Sequence, residues 1–64
     1  MVQINGKDVN AAGMSLQAYL DREGLRPERI AVELNGLIVK RGTYGTITLA
    51  DGDTMEIVQF VGGG

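Results

Sequence analysis

Apolar and polar residues alternate in short runs along most of the chain, which is the pattern of half-buried β-strands. The first run extends from Val2 to Ile4 and is followed directly by Asn5-Gly6. Asn-Gly between alternating runs is a strong signal for a tight hairpin turn, because both residues tolerate positive φ. We therefore predict an N-terminal hairpin whose second strand covers residues 8–11.

One segment has the apolar spacing of an amphipathic helix instead. Leu16, Tyr19 and Leu20 are three and four residues apart, which places them on one helical face. Ser15 before them is a favourable N-cap, and Gly24 after them is a favourable C-terminal stop. The sequence thus predicts a helix of about two turns near residues 15–23, with Tyr19 in the core.

The alternating pattern returns after the helix. Candidate strands are Ile30 to Leu34, Leu37 to Val39, Thr46 to Leu49 and Thr54 to Val61. One helix between groups of strands predicts a single α+β domain over residues 1–64, in the order β-β-α-β-β-β. We expect a mixed sheet of four to five strands, with the helix on one face and the last strand beside the first in the middle.

Alternation in the last strand separates its side chains into two sets. Met55 and Ile57 point to one face, whereas Val58 and Phe60 point to the other. A single helix covers one face, so we assign Met55 and Ile57 to the helix side, in a core with Leu16, Leu20 and Val32. Val58 and Phe60 then form an exposed apolar pair and a candidate docking surface. A covering loop, or a sheet buried on both faces, remains an alternative.

The chain ends in Gly62-Gly63-Gly64, directly after this last apolar run. Glycines neither pack nor continue a strand well, so we expect a thin, flexible tail over residues 62–64. The α-carboxylate of Gly64 is not crowded by a side chain, which suits threading into an enzyme channel and attack at its carbonyl carbon. From position alone, an ordinary frayed terminus is an equal alternative.

Composition excludes several functional classes. The sequence contains no Cys and no His, which excludes disulfides, thiol nucleophiles and the commonest general base near neutral pH. A net charge of −2 with scattered basic residues argues against nucleic acid or an anionic membrane as partner. No apolar run approaches the ~20 residues that span a bilayer, and the N-terminus lacks a signal sequence, so we expect a cytoplasmic protein.

Two charged motifs have simple interpretations. Asp51-Gly52-Asp53 offers too few oxygen ligands for a calcium site and is typical of a turn, so no metal is expected. Lys40-Arg41 is either a solvated pair or a contact for an acidic partner, and the solvated pair is favoured.

Five motifs are spread along the whole chain: Asn5-Gly6-Lys7, Asn35-Gly36, Ile38-Val39-x-Arg41, Asp51-Gly52-Asp53 and Phe60-Val61-Gly62-Gly63-Gly64. With these motifs the chain resembles the ThiS family of bacterial sulfur carriers in thiamine biosynthesis, within the ThiS/MoaD superfamily of ubiquitin-like β-grasp proteins. The sequence departs from the family pattern at Lys40 and Tyr44, where proline and tryptophan are common. Four alternatives remain: a small subunit of molybdopterin synthase, a carrier for a different sulfur pathway, a ubiquitin-like modifier that is conjugated to lysines, and a β-grasp interaction domain with inert glycines.

The resemblance implies a carrier and co-substrate with no catalytic residue and no bound cofactor of its own. A ThiF-like adenylyltransferase would use ATP to adenylate Gly64, and a cysteine desulfurase would supply sulfur for a thiocarboxylate. A ThiG-like thiazole synthase would receive that sulfur. Gly62 and Gly63 would thread into partner active sites, while Val58 and Phe60 would dock. We expect a monomer when these partners are absent.

Overall fold

A five-stranded mixed sheet is the frame of the protein in the computed structural model, which describes residues 1–60. Its elements are β1 (Val2–Ile4), β2 (Lys7–Val9), α1 (Leu16–Arg22), β3 (Ile30–Leu34), β4 (Leu37–Ile38) and β5 (Thr54–Gln59), with short 3₁₀ helices at Pro27–Arg29 and Arg41–Thr43. The strand order is β2-β1-β5-β3-β4. Strand β5 runs parallel to β1 and antiparallel to β3, so the last strand is central, as predicted.

Both Asn-Gly pairs form the hairpin turns that the sequence predicts. Asn5 and Asn35 have φ values of 50° and 51°, and the glycine after each also has positive φ. Positive φ at both central residues is the geometry of the two-residue turn whose twist matches that of the flanking strands. Strand β2 begins one residue earlier than predicted and ends at Val9.

The helix forms where the apolar spacing predicts it. Ser15 caps it, because its Oγ accepts a hydrogen bond from the Ala18 backbone N–H at 3.0 Å. Gly24 follows with a φ of 70°, and the Leu25 N–H bonds to the Leu20 carbonyl at 2.9 Å. These bonds end the helix and turn the chain back toward β3.

The core lies between α1 and the covered face of the sheet. Its buried members are Val2, Ile4, Ala11, Leu16, Tyr19, Leu20, Ile30, Val32, Tyr44, Leu49 and Met55. The predicted core positions Leu16, Leu20 and Val32 are confirmed, whereas Ile57 is only partly buried against this cluster. Tyr44 enters the core because its carbonyl accepts the Gln17 N–H at 3.0 Å, which holds the second 3₁₀ helix against the start of α1.

The prediction of a strand from Thr46 to Leu49 is wrong. This segment makes a single bridge, between Thr48 and Ser15, and bonds to the loop before α1 rather than to the sheet. The Met14 carbonyl accepts a hydrogen bond from the Leu49 N–H at 2.8 Å. Leu49 is nevertheless buried in the core. The alternating pattern therefore indicates that one side of this segment faces the core, although the segment does not join the sheet.

The last strand ends at Gln59, two residues before the predicted end at Val61. Val61 and the predicted flexible tail over residues 62–64 lie outside the described residues. None of the helices in the described part of the chain has the length and apolarity that crossing a membrane requires.

Candidate functional site

The face of the sheet opposite α1 is open and carries a small apolar surface. Val58 and Phe60 are 59% and 54% exposed, whereas Met55, on the other side of β5, is fully buried. The predicted separation of these side chains is confirmed. Neither a loop nor a second layer within residues 1–60 covers the pair.

A third apolar side chain extends this surface. Ile38 on β4 is 73% exposed and lies opposite Glu33 of β3, on the same face as Val58. Between Ile38 and Val58 is a shallow groove of about 290 Å³. We call Ile38, Val58 and Phe60 the open apolar face. Its size suits contact with a partner protein better than a small-molecule pocket.

Two carboxylates face each other beside this surface. Glu33 of β3 and Glu56 of β5 are direct partners in the antiparallel register. Like charges directly opposite each other destabilise a sheet. Neither side chain has an ion-pair partner within residues 1–60, so their repulsion is not offset there.

The chain leaves the sheet beside the open apolar face. Gln59 is the last residue of β5 and pairs with Ile30, and the Phe60 N–H donates to the Arg29 carbonyl at 2.9 Å. The described chain is therefore bonded to β3 up to Gln59 and, through Phe60, to the end of the 3₁₀ helix that precedes β3. The predicted reacting and threading residues, Gly62, Gly63 and Gly64, lie outside the described residues.

Tyr19 is a core residue and has no place in an acid–base site. Burial raises the pKa of the Tyr19 phenol above its usual value, the carboxylate of Glu23 adds to this shift, and the Arg22 guanidinium opposes it. That guanidinium lies 5.2 Å from the centre of the Tyr19 ring. The phenol therefore stays neutral throughout the physiological pH range.

The Asp51-Gly52-Asp53 segment is a turn, as predicted. Gly52 has a φ of 88°, and the Asp53 carboxylate accepts the Ala50 N–H at 2.9 Å and the Asn35 side-chain amide at 3.0 Å. These bonds occupy the Asp53 oxygens that a cation would need. Among residues 1–60, no group of three acidic side chains is placed to hold a metal ion.

Two features of this region were not identified from the sequence. Both the exposed position of Ile38 and the pairing of Glu33 with Glu56 depend on the strand register. The Asn35-Gly36 turn contains part of that information, because a two-residue hairpin places Ile38 opposite Glu33. Nothing local in the sequence indicates that Glu56 faces Glu33, since that pair joins strands far apart along the chain.

The strand order, the parallel pairing of the first and last strands and the packing of α1 on one face of the sheet define a ubiquitin-like β-grasp protein. A solved structure of similar fold is the crystal structure of thiamine biosynthesis protein ThiS from Geobacter metallireducens. It has a TM-score of 0.77 and 31% sequence identity, over 98% of this chain and 97% of that chain.

The model of the ThiS family matches residues 2–64, and the chain belongs to this family. It is 39% identical over 66 residues to the sulfur carrier protein ThiS of Bacillus subtilis (strain 168), covering 100% of both chains. It is also 45% identical over 64 residues to a thiazole synthase of Magnetococcus marinus, covering 98% of this chain. The chain spans about a fifth of the length of that thiazole synthase, 20%. The resemblance inferred from the sequence is confirmed.

Proposed function

We propose that this ThiS-family protein carries sulfur for thiamine biosynthesis as a thiocarboxylate formed on the α-carboxylate of Gly64. The observation that carries the proposal is the match of the family model, which extends through the three terminal glycines to residue 64. Glycine suits a reacting terminus, because it has no Cβ to hinder attack and accepts any backbone conformation that a channel imposes.

The chemistry requires activation, because an ionised carboxylate is a poor electrophile. An adenylyltransferase would join the Gly64 carboxylate to AMP from ATP, with release of pyrophosphate. A cysteine-desulfurase persulfide would attack the resulting acyl carbon and expel AMP. Reductive cleavage of the sulfur–sulfur bond by a thiol would then leave one sulfur atom on the carbonyl carbon of Gly64.

The chain would be a co-substrate in these steps, and its partners would supply the catalytic groups. A thiazole synthase is the proposed sulfur recipient. The thiazole synthase of Magnetococcus marinus contains a segment similar to this chain, which supports such a pairing. An activating adenylyltransferase and a sulfur-donating desulfurase complete the proposed set.

The open apolar face has a role in this scheme. Ordering the tail inside a partner opposes binding by about 1–2 kcal/mol for each residue fixed. Docking of Ile38, Val58 and Phe60 would offset that cost, because they are exposed apolar side chains next to the point where the tail begins.

Intact-mass measurement on the protein purified from its own cells tests this function. We expect a species in which one oxygen is replaced by sulfur, and fragmentation should locate the exchange at Gly64. The same spectrum identifies the last residue of the chain. The proposal would be rejected if no such species formed and the purified activating enzyme showed no ATP–pyrophosphate exchange with the protein.

A further inference from the structure

Four of the six basic residues of the chain gather where β5 ends. Arg26 and Arg29 flank Phe60 on one side, where they line a surface depression together with Gln59. Lys40 and Arg41 line a second depression that also includes Phe60. All four basic side chains are exposed. We call these four residues the basic rim.

The basic rim is held in place relative to the start of the tail. The Arg29 carbonyl accepts the Phe60 N–H at 2.9 Å, which ties one side of the rim to the end of β5. The Arg41 Nε donates to the Pro27 carbonyl at 2.8 Å, which ties the other side to the first 3₁₀ helix. The backbone on both sides of the rim is therefore part of the folded domain, so its four side chains leave the chain at defined positions near the end of β5.

The charge of the rim is not neutralised within the described chain. The ion pairs in residues 1–60 join the Met1 amine to Asp51 and Arg22 to Glu23, so no rim cation has a carboxylate partner. The whole chain has a net charge of −2, so this concentration of positive charge is a local feature that opposes the overall balance. A cluster of charges of one sign attracts and orients a partner surface that carries charges of the opposite sign.

We propose that the basic rim binds carboxylates around the mouth of the channel through which the thiazole synthase receives the tail. The inference rests on the proposed function and adds the charge of the partner surface. The rim flanks Phe60, the last described residue before the glycines, on two sides, so its charges would meet the edge of the synthase channel that the tail enters. Contacts there would align the tail with the channel and speed association.

Charge reversal at single positions tests this proposal. Arg26→Glu and Lys40→Glu change opposite sides of the rim, and neither side chain makes a hydrogen bond within the described chain. Lys7→Glu is the matched control: it changes the charge equally at an exposed site. Lys7 pairs with Ile4, which is level with Met55, so it lies two strands away from β5 and far from Phe60 along the strand direction.

Binding of each variant to the purified thiazole synthase of the same organism is measured by calorimetry at low and high salt. We expect each rim variant to raise the Kd about threefold to tenfold at low salt, and Lys7→Glu to raise it less than about twofold. The difference should shrink at high salt, because the screening length falls from about 10 Å at 0.1 M to about 3 Å at 1 M. Circular dichroism checks that all variants fold alike.

Two results would overturn the role of the rim. One is an equal loss of affinity in Lys7→Glu and the rim variants, which would reflect net charge alone. The other is unchanged thiazole synthase binding in the rim variants with loss of ATP–pyrophosphate exchange, which would assign these cations to the nucleotide of the activating enzyme. A parent protein that forms a thiocarboxylate and binds the synthase separates these outcomes from failure of the proposed function, which would appear in the parent itself.

Discussion

Two asparagines each combine a turn conformation with a clamp on the central strand. The Asn5 side chain accepts the Ile57 N–H at 2.7 Å and donates to the Ile57 carbonyl at 3.2 Å. Asn35 accepts the Thr54 N–H at 2.9 Å on the other side of β5. Each side chain thus adds to the hydrogen bond that the backbone N–H of the same asparagine donates to β5. Asparagine suits both positions because it tolerates positive φ and offers a donor and an acceptor.

The first prediction concerns the Asn5 clamp. Asn5→Gly keeps the turn, because glycine adopts positive φ freely, but removes both bonds to Ile57. We expect the free energy of unfolding to fall by about 1–2 kcal/mol, the loss typical of a polar group left without its partner. Urea denaturation measures this difference. Asn10→Gly, at an exposed position, is the control and should cost less; equal losses would show that the clamp adds no stability.

The second prediction concerns Tyr19 and pH. Because the pKa of Tyr19 is raised in the folded protein, the folded state holds its proton more tightly than the unfolded state does. The stability that the neutral Tyr19 phenol contributes is fully present below the usual tyrosine pKa of about 10. It is lost as the pH rises through the pKa of Tyr19 in the folded protein. Stability measured between pH 8 and pH 11 should therefore fall more steeply in the parent than in Tyr19→Phe. Parallel curves would contradict this origin of the pH dependence.

At the scale of elements, the sheet contains one arrangement that opposes stability. Glu33 and Glu56 are adjacent on the open side of β3 and β5, beside the open apolar face. A functional surface is a place where such a local cost is expected, because binding and stability select for different residues. The pair also gives this side of the sheet a negative patch, distinct from the basic rim at the end of β5.

The third prediction follows from that repulsion. Glu33→Gln and Glu56→Gln should each raise the free energy of unfolding by about 0.2–1 kcal/mol, because either change removes the like-charge contact. The double variant should gain little more than one single variant, since the contact can be removed only once. Chemical denaturation of the four proteins gives the coupling energy. Fully additive gains would show that the two carboxylates do not interact.

The fourth prediction concerns Phe60 on the open apolar face. Phe60→Ala should weaken binding to the activating enzyme about tenfold or more, as truncation of a large apolar anchor does at interfaces. Its effect on stability should be small, because the side chain is 54% exposed. Leu37→Ala is the control: Leu37 is also exposed, at 73%, but it pairs with Leu34 on the helix side of the sheet. Equal affinities of parent and Phe60→Ala, measured by calorimetry, would remove this face from the interface.

How far the sequence predicts these elements depends on the range of the interactions that form them. The Asn-Gly turns, the capped helix and the two faces of β5 follow from local residue chemistry, and all of them form as predicted. The segment from Thr46 to Leu49 does not form the predicted strand. Alternation of apolar and polar residues shows that one side of a segment is buried, but it does not show which backbone the segment pairs with. The Glu33–Glu56 contact and the burial of Tyr44 depend on long-range packing, which no local pattern contains.

At the scale of the whole molecule, one strand joins the features that the proposed function needs. Strand β5 crosses the centre of the sheet, contributes Val58 to the open apolar face and leads through Phe60 to the glycines. Docking of the domain therefore sets the point from which the tail begins. Because β5 is hydrogen-bonded to β1 on one side and to β3 on the other, it can shift only if both neighbouring strands separate from it. The start of the tail is therefore held in a constant position relative to the domain.

The fifth prediction tests whether the length of chain between the end of β5 and the Gly64 carboxylate matters. One alanine added after Gly64 would move the carboxylate about 3.5 Å further along a channel, whereas reacting atoms must meet within roughly 3–3.5 Å. We expect ATP–pyrophosphate exchange with the activating enzyme to be abolished, while the thermal unfolding of the domain is unchanged. Adding glycine instead of alanine separates length from side-chain bulk, and both extensions should fail if length decides. One alanine added before Met1 is the control and should leave exchange intact. Normal exchange with both extended proteins would reject Gly64 as the reacting residue, and with it the sulfur-carrier mechanism.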